Sequence, residues 1–106
     1  MFDKAGEDGP GDIRRDPRHP VAIPGRYRRG AGLPTDVQFL DLSRSGCRFF
    51  DKFGNLKVGS EITLRISTFG PIVSAIRWRK DSYVGVAFEP PLHEAVLDHI
   101  TAQFPI

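Results

Sequence analysis

Three residues near the middle of the chain have the types and spacing that suit recognition of a guanine base. Asp41, Ser43 and Gly46 lie where a strand pattern gives way to a turn. A carboxylate and a hydroxyl side by side accept the adjacent N–H donors of guanine, and glycine lets the backbone approach a ligand closely. If Phe39 faces the core, the two-residue period of a strand places Asp41 and Ser43 on its face, next to each other.

The same residues have a plainer interpretation as a turn. Asp, Ser and Gly are ordinary turn formers, and their side chains often bond only their own backbone. The spacing is nevertheless rare, because this composition gives only about 0.06 chance occurrences of [D/N]-x-S-x-x-G. The motif therefore supports guanine recognition only in combination with a second motif.

A pair of arginines, Arg14 and Arg18, precedes the first strand pattern, with Arg15 beside them. Pro17 and Pro20 disfavour helix here, so we expect an extended or turning arm that can fold over a ligand. A guanidinium group offers paired donors to phosphate and stacks on flat rings. A nucleotide offers both targets.

The elements that must position these residues are predicted to be short strands. Apolar residues alternate with polar ones in six stretches, which are separated by Gly- and Pro-containing turns and by no helix-length connection. Such strands are antiparallel, and small all-β domains remove exposed edges by closing. We predict an all-β fold with one helix: a six-stranded antiparallel β-barrel with strands around residues 21–27, 37–39, 47–49, 62–66, 72–78 and 84–88.

The apolar period changes after Pro90 and Pro91, which suit the first turn of a helix. We predict one amphipathic C-terminal helix over about residues 90–104 that packs on the barrel or on another subunit. Its apolar stripe consists of Leu92, Val96, Leu97, Ile100 and Phe104. Residues 1–13 are Gly-rich and charged, which predicts a flexible tail before a single domain over residues 14–106.

The composition bounds the class of protein. A chain of 106 residues supports one core, which excludes a large multidomain enzyme. No apolar run is long enough to cross a membrane, so we expect no membrane insertion. A single cysteine, Cys47, forms no internal disulfide and no metal site by itself, which favours a reducing, cytoplasmic setting and a small buried side chain.

Charge is distributed unevenly. Residues 13–30 contain six arginines and one aspartate, a net charge of +5, whereas residues 81–106 have a net charge of −4. The basic segment indicates an anionic partner or, equally, a solvated face. Trp78, between Arg77 and Arg79, offers a stacking surface for a base, although we favour its burial in the barrel wall. The three histidines are too scattered for a metal site, and no constellation of catalytic residues is present.

The two motifs taken together resemble the signatures of the PilZ domain family, an R-x-x-x-R arm and a [D/N]-x-S-x-x-G turn. The similarity extends over roughly residues 13–104 and includes the later strands. The resemblance implies a six-stranded barrel with a C-terminal helix that binds cyclic di-GMP, a bacterial second messenger, with no further cofactor. It implies a ligand site formed by Arg14, Arg15, Arg18, Asp41, Ser43 and Gly46.

The resemblance also assigns a role to each residue. The arginines bind phosphate and stack on guanine, the aspartate and serine bond guanine, and the glycine allows close approach. Two departures are expected to weaken affinity: Ser45 stands where a smaller residue is frequent, and Asp16 is placed to pair with a neighbouring arginine. We expect residues 1–18 to be mobile until the ligand draws the arm onto the barrel near Asp41.

The sequence thus predicts a bacterial, cytoplasmic receptor that is not an enzyme and signals by conformational change to an unknown protein effector. The alternatives are a barrel adaptor that binds no nucleotide and a small nucleic-acid-binding barrel. Nucleic acid is the less favoured partner, because the sequence shows no aromatic cluster to match the arginines.

Overall fold

The computed structural model describes residues 16–104. This part of the chain folds into six strands followed by one helix. The strands lie near the positions that the alternation predicts, and the helix lies where the apolar period changes. The elements are β1 (His19–Arg28), β2 (Thr35–Leu42), β3 (Gly46–Phe50), β4 (Glu61–Ile66), β5 (Phe69–Lys80), β6 (Tyr83–Phe88) and α1 (Glu94–Gln103).

The strands form a closed barrel in the order β1-β2-β3-β6-β5-β4, and every neighbouring pair is antiparallel. The predicted six-stranded antiparallel barrel is therefore confirmed. Closure occurs where β1 pairs with both β2 and β4, and Gly25 lies in both ladders. A Cβ atom at Gly25 would collide with the Arg65 carbonyl and the Phe39 ring, so this junction requires glycine.

The barrel interior is filled by the apolar residues of the alternating stretches. Phe39 and Phe49 are fully buried and meet edge to face, with ring centroids 5.7 Å apart. The helix adds Leu97 and Ile100 to the same core cluster, so it packs on the barrel of its own chain. Val96 differs from the prediction: it is 37% exposed, because the inward face of this short helix is centred on Leu97 and Ile100.

The helix also begins later than the predicted residue 90. Its N-cap is His93 and its first residue is Glu94, so the paired prolines precede the helix instead of forming its first turn. Proline disfavours helical geometry in the residue before it, and the Leu92 N–H donates to the Arg44 carbonyl at 2.7 Å. Leu92 is thereby held against the barrel before the helix starts. Over residues 16–104, no helix is long and apolar enough to span a membrane.

Candidate functional site

The strand register brings the end of the arginine arm to the end of β2. At the start of β1, His19 pairs with Leu42 and Pro20 pairs with Asp41. Arg18 immediately precedes this pairing, so the antiparallel register carries its side chain to Asp41 although the two residues are 23 positions apart. Arg14 and Arg15 lie outside the described residues.

An ion-pair cluster forms where the arm meets β2 and β3. Arg18 Nη1 donates to Asp41 Oδ1 at 2.9 Å, and Arg48 Nε lies 3.1 Å from Asp41 Oδ2. The Arg48 N–H is not directed along that line, so this second contact is electrostatic without being a hydrogen bond. The Asp41 side chain is 14% exposed and the two arginines are 37% and 41% exposed, which leaves the cluster open to solvent.

Arg48 was not among the predicted site residues. The signal that could have found it is the hairpin itself: a turn over residues 43–46 pairs Leu42 with Cys47 and therefore Asp41 with Arg48. The Arg48 guanidinium also lies 5.7 Å from the centre of the Tyr83 ring. Arg48 thus links the carboxylate of the candidate site to the aromatic surface of β6.

A β-bulge reorganises the side chains near Asp41. The register of β2 against β3 shifts between Phe39 and Asp41, so Phe39 and Leu42 are both buried while Leu40 and Asp41 lie partly exposed between them. The expectation that Asp41 and Ser43 share the face of Phe39 is therefore wrong. The extra residue turns the carboxylate outward toward the arginines.

Ser43 closes the turn between β2 and β3. Its hydroxyl donates to the Gly46 carbonyl and accepts the Gly46 N–H, each at 3.2 Å, while the Ser43 N–H bonds the same carbonyl at 2.9 Å. Ser43 is only 1% exposed. In this structure it has the turn-forming role that was the plainer interpretation of the motif, and a bond from Ser43 to guanine stays a prediction.

The glycine of the motif is required by the barrel. A Cβ atom at Gly46 would collide with the Val86 carbonyl, since β3 pairs closely with β6 at this point. The close backbone approach that the sequence predicted is thus made by a neighbouring strand. Approach of a ligand to the same residue stays a prediction.

Asp16 fastens the arm to this turn. Its carboxylate accepts the backbone N–H groups of Arg44 at 3.2 Å and Ser45 at 2.9 Å. Within the described residues it contacts these backbone amides; its expected pairing with a neighbouring arginine stays a prediction, because Arg14 and Arg15 lie outside those residues. Asp16 and Arg18 both lie on the barrel in this structure, residues 1–15 lie outside the described residues, and the expected mobility of residues 1–18 stays a prediction.

The turn is also hydrogen-bonded to the segment before α1. Arg44 accepts the Leu92 N–H through its carbonyl at 2.7 Å, and its Nε donates to the Leu92 carbonyl at 3.2 Å. The candidate site is therefore connected to the arm through Asp16 and to the approach of the helix through Leu92.

The remaining candidates fall into structural positions. Cys47 is fully buried, which confirms the expectation of a small buried side chain, and burial raises the pKa of its thiol well above the ordinary value. Trp78 differs from its expected burial: it is 37% exposed and its indole covers Gly85 on the outer surface. Across residues 16–104, the structure holds no group of three or more metal-ligating side chains.

The arrangement can bind an anionic, partly aromatic ligand. Two guanidinium groups, from Arg18 and Arg48, contact the carboxylate of Asp41 beside a tight turn, and the Arg44 guanidinium on that turn bonds the Leu92 carbonyl. Arginine forks bind phosphate, while a carboxylate accepts the N–H groups of a base. The cluster therefore combines both halves of nucleotide recognition on one surface.

Comparison with known protein families identifies the family of this chain. The family profile described as PilZ domain matches residues 12–104, which is most of the chain and includes every strand and the helix. No curated protein matches the chain. The fold and the matched span together show that the chain belongs to the PilZ domain family.

Proposed function

We propose that this chain is a bacterial, cytoplasmic receptor that binds cyclic di-GMP through the arm and the β2–β3 turn. PilZ domains are in general receptors for this second messenger. The observation that carries the proposal is the contact between Arg18 and Asp41, at 2.9 Å on the outer surface of the barrel. It joins one residue from each of the two motifs.

Binding would proceed by exchange of partners within the exposed cluster. Arg18 turns from Asp41 to a ligand phosphate or to the face of a guanine ring, for which its planar guanidinium is suited. The Asp41 oxygen released by Arg18 then accepts N–H groups of guanine. Because both ions are partly exposed, little is lost when their contact opens.

The other predicted site residues take supporting roles in this proposal. Ser43 and Gly46 fix the shape of the turn that presents Asp41, through the hydrogen bonds between them. Arg14 and Arg15, which precede Asp16 in the chain, add phosphate contacts. The proposal involves binding and conformational change, without hydrolysis of the ligand.

The test is isothermal titration of cyclic di-GMP into Arg18→Ala, with Arg28→Ala as the matched control. Arg28 is an exposed arginine at the end of β1, the strand that Arg18 immediately precedes. We expect Arg18→Ala to weaken binding by roughly 30-fold, the worth of a charge-assisted hydrogen bond, and Arg28→Ala to bind as the wild type does. Equal losses in both variants would show a nonspecific charge effect and contradict the proposed site.

A second candidate function, a protein adaptor that binds no nucleotide, is favoured by one specific observation. The outer surface of β3, β5 and β6 carries an aromatic face formed by Phe50, Tyr83 and Trp78, all at least 37% exposed. Phe50 and Tyr83 meet edge to face at 5.6 Å, and Lys80 pairs with Tyr83 in register. Exposed apolar area of this kind marks interaction surfaces. Under this alternative, the titration gives no heat with cyclic di-GMP.

A further inference from the structure

The carboxylate of Asp16 occupies an anion site made of backbone. Adjacent N–H groups of Arg44 and Ser45 point at its two oxygens, at 3.2 and 2.9 Å. Successive backbone amides directed at one point form a concavity that holds carboxylate or phosphate oxygens. In this structure the occupant belongs to the arm of the same chain.

Asp16 is not needed to place the arginine that follows it. Arg18 has its own contact with Asp41 at 2.9 Å, and the next residue, His19, is already paired with Leu42 in the ladder between β1 and β2. The position of Arg18 is therefore fixed by Asp41 and by the strand register. The contact of Asp16 with the turn is separate from the contact that holds this arginine.

The charge of Asp16 opposes an anionic ligand at this place. Cyclic di-GMP carries two phosphate groups, and Asp16 adds a negative charge directly on the turn beside Asp41. A ligand phosphate that approaches the arm is repelled by this carboxylate and also competes with it for the two amides. The effect is moderate, because the contact is solvent-exposed and screened by salt.

We propose that Asp16 is an internal competitor of the ligand, a carboxylate that holds the amides of Arg44 and Ser45 until cyclic di-GMP displaces it. This inference rests on the proposed function and adds a regulatory element to the same site. Displacement also frees the turn from the arm, and Arg44 transmits that release to Leu92 through their two hydrogen bonds. The segment before α1 then distinguishes the bound from the unbound state.

The experiment compares cyclic di-GMP affinity in Asp16→Asn, which keeps the shape but removes the charge, with Asp98→Asn as control. Asp98 is an exposed carboxylate on the helix, so its substitution makes the same change in net charge. We expect Asp16→Asn to bind roughly two- to fivefold more tightly, with the gain shrinking as salt rises, and Asp98→Asn to match the wild type.

Amide signals recorded before ligand addition test the contact itself. In Asp16→Asn, the backbone amides of Arg44 and Ser45 should change their proton shifts and exchange faster with solvent, while the melting temperature is unchanged. Affinity that is equal to or weaker than wild type in this variant overturns the competitor role while leaving the receptor intact. Absence of binding in both proteins overturns the proposed function instead, and the competitor role with it.

Discussion

Two aspartates of this barrel meet arginine side chains, and their surroundings differ. Asp41 lies on the outer surface between Arg18 and Arg48, with its side chain 14% exposed. Asp51 is fully enclosed: its Oδ1 accepts the Tyr27 hydroxyl at 3.2 Å and the Phe53 N–H at 3.3 Å.

The partner of the enclosed carboxylate is also held in place. Arg79 Nη1 lies 3.7 Å from Asp51 Oδ2 and donates to the Leu56 carbonyl at 3.1 Å. The difference between the two clusters lies in the cost of changing partners. An exposed ion pair is worth at most about 1 kcal/mol, whereas breaking a buried one costs about 3–5 kcal/mol. The exposed cluster is therefore free to exchange its contacts with a ligand, and the buried cluster stabilises the barrel.

The largest expected effect is on the stability of the buried cluster. Asp51→Ala should lower the free energy of unfolding by about 3 kcal/mol, because it leaves the Tyr27 hydroxyl without its enclosed acceptor and the Arg79 guanidinium without its counter-ion. Urea denaturation followed by tryptophan fluorescence measures the change. A loss below about 1 kcal/mol would mean that this cluster is as exchangeable as the surface one.

The matched substitution at the surface should separate binding from stability. Asp41→Ala should change the free energy of unfolding by about 1 kcal/mol or less, since the side chains of Arg18 and Arg48 are 37% and 41% exposed. It should also abolish most of the preference for cyclic di-GMP over cyclic di-AMP, which parallel titrations measure. Retained selectivity would show that another group reads the guanine.

A further effect is confined to alkaline pH. Burial raises the pKa of the Cys47 thiol, and the charge of Asp41 raises it further, so the folded protein keeps the proton above the ordinary value of 9.0. The unfolded chain loses that proton above about pH 9, and each further pH unit then lowers stability by up to about 1.4 kcal/mol.

Unfolding measurements at several pH values between about 8 and 10 test whether the free energy of unfolding falls as pH rises. The stability contribution of the retained proton is fully present below the unfolded pKa and is lost as pH rises. Cys47→Ala should weaken the alkaline decline relative to wild type. An identical decline in both proteins would assign it to other groups, such as Tyr27, whose pKa burial also raises above 10.0.

The strands and the barrel were predictable because they follow from local alternation and turn composition. Residues such as Ile23, Leu64 and Val84 are buried where the period of two places them. The bulge near Asp41 was not predictable, since one extra residue in β2 is defined only against its partner strand. That single irregularity decided which way the carboxylate faces.

The contacts of the arm could not be predicted from the sequence for a related reason. Asp16 reaches backbone groups that are 28 and 29 positions away, and no side-chain pattern identifies a backbone acceptor or donor at that distance. By contrast, the partnership of Asp41 with Arg48 follows from hairpin pairing once the turn is placed. The motifs located the candidate site, and tertiary structure determined which contacts its described residues make there.

Nuclear magnetic resonance tests the proposed ligand site most directly, by following the amide and arginine side-chain signals of the protein as cyclic di-GMP is added. We predict that the signals of Arg18, Arg44 and Ser45 shift in step with ligand concentration. Those of Asp51 and Arg79 should stay in place. Shifts centred on the buried cluster, or no shifts at the exposed one, would contradict the claim that the exposed cluster is the ligand site.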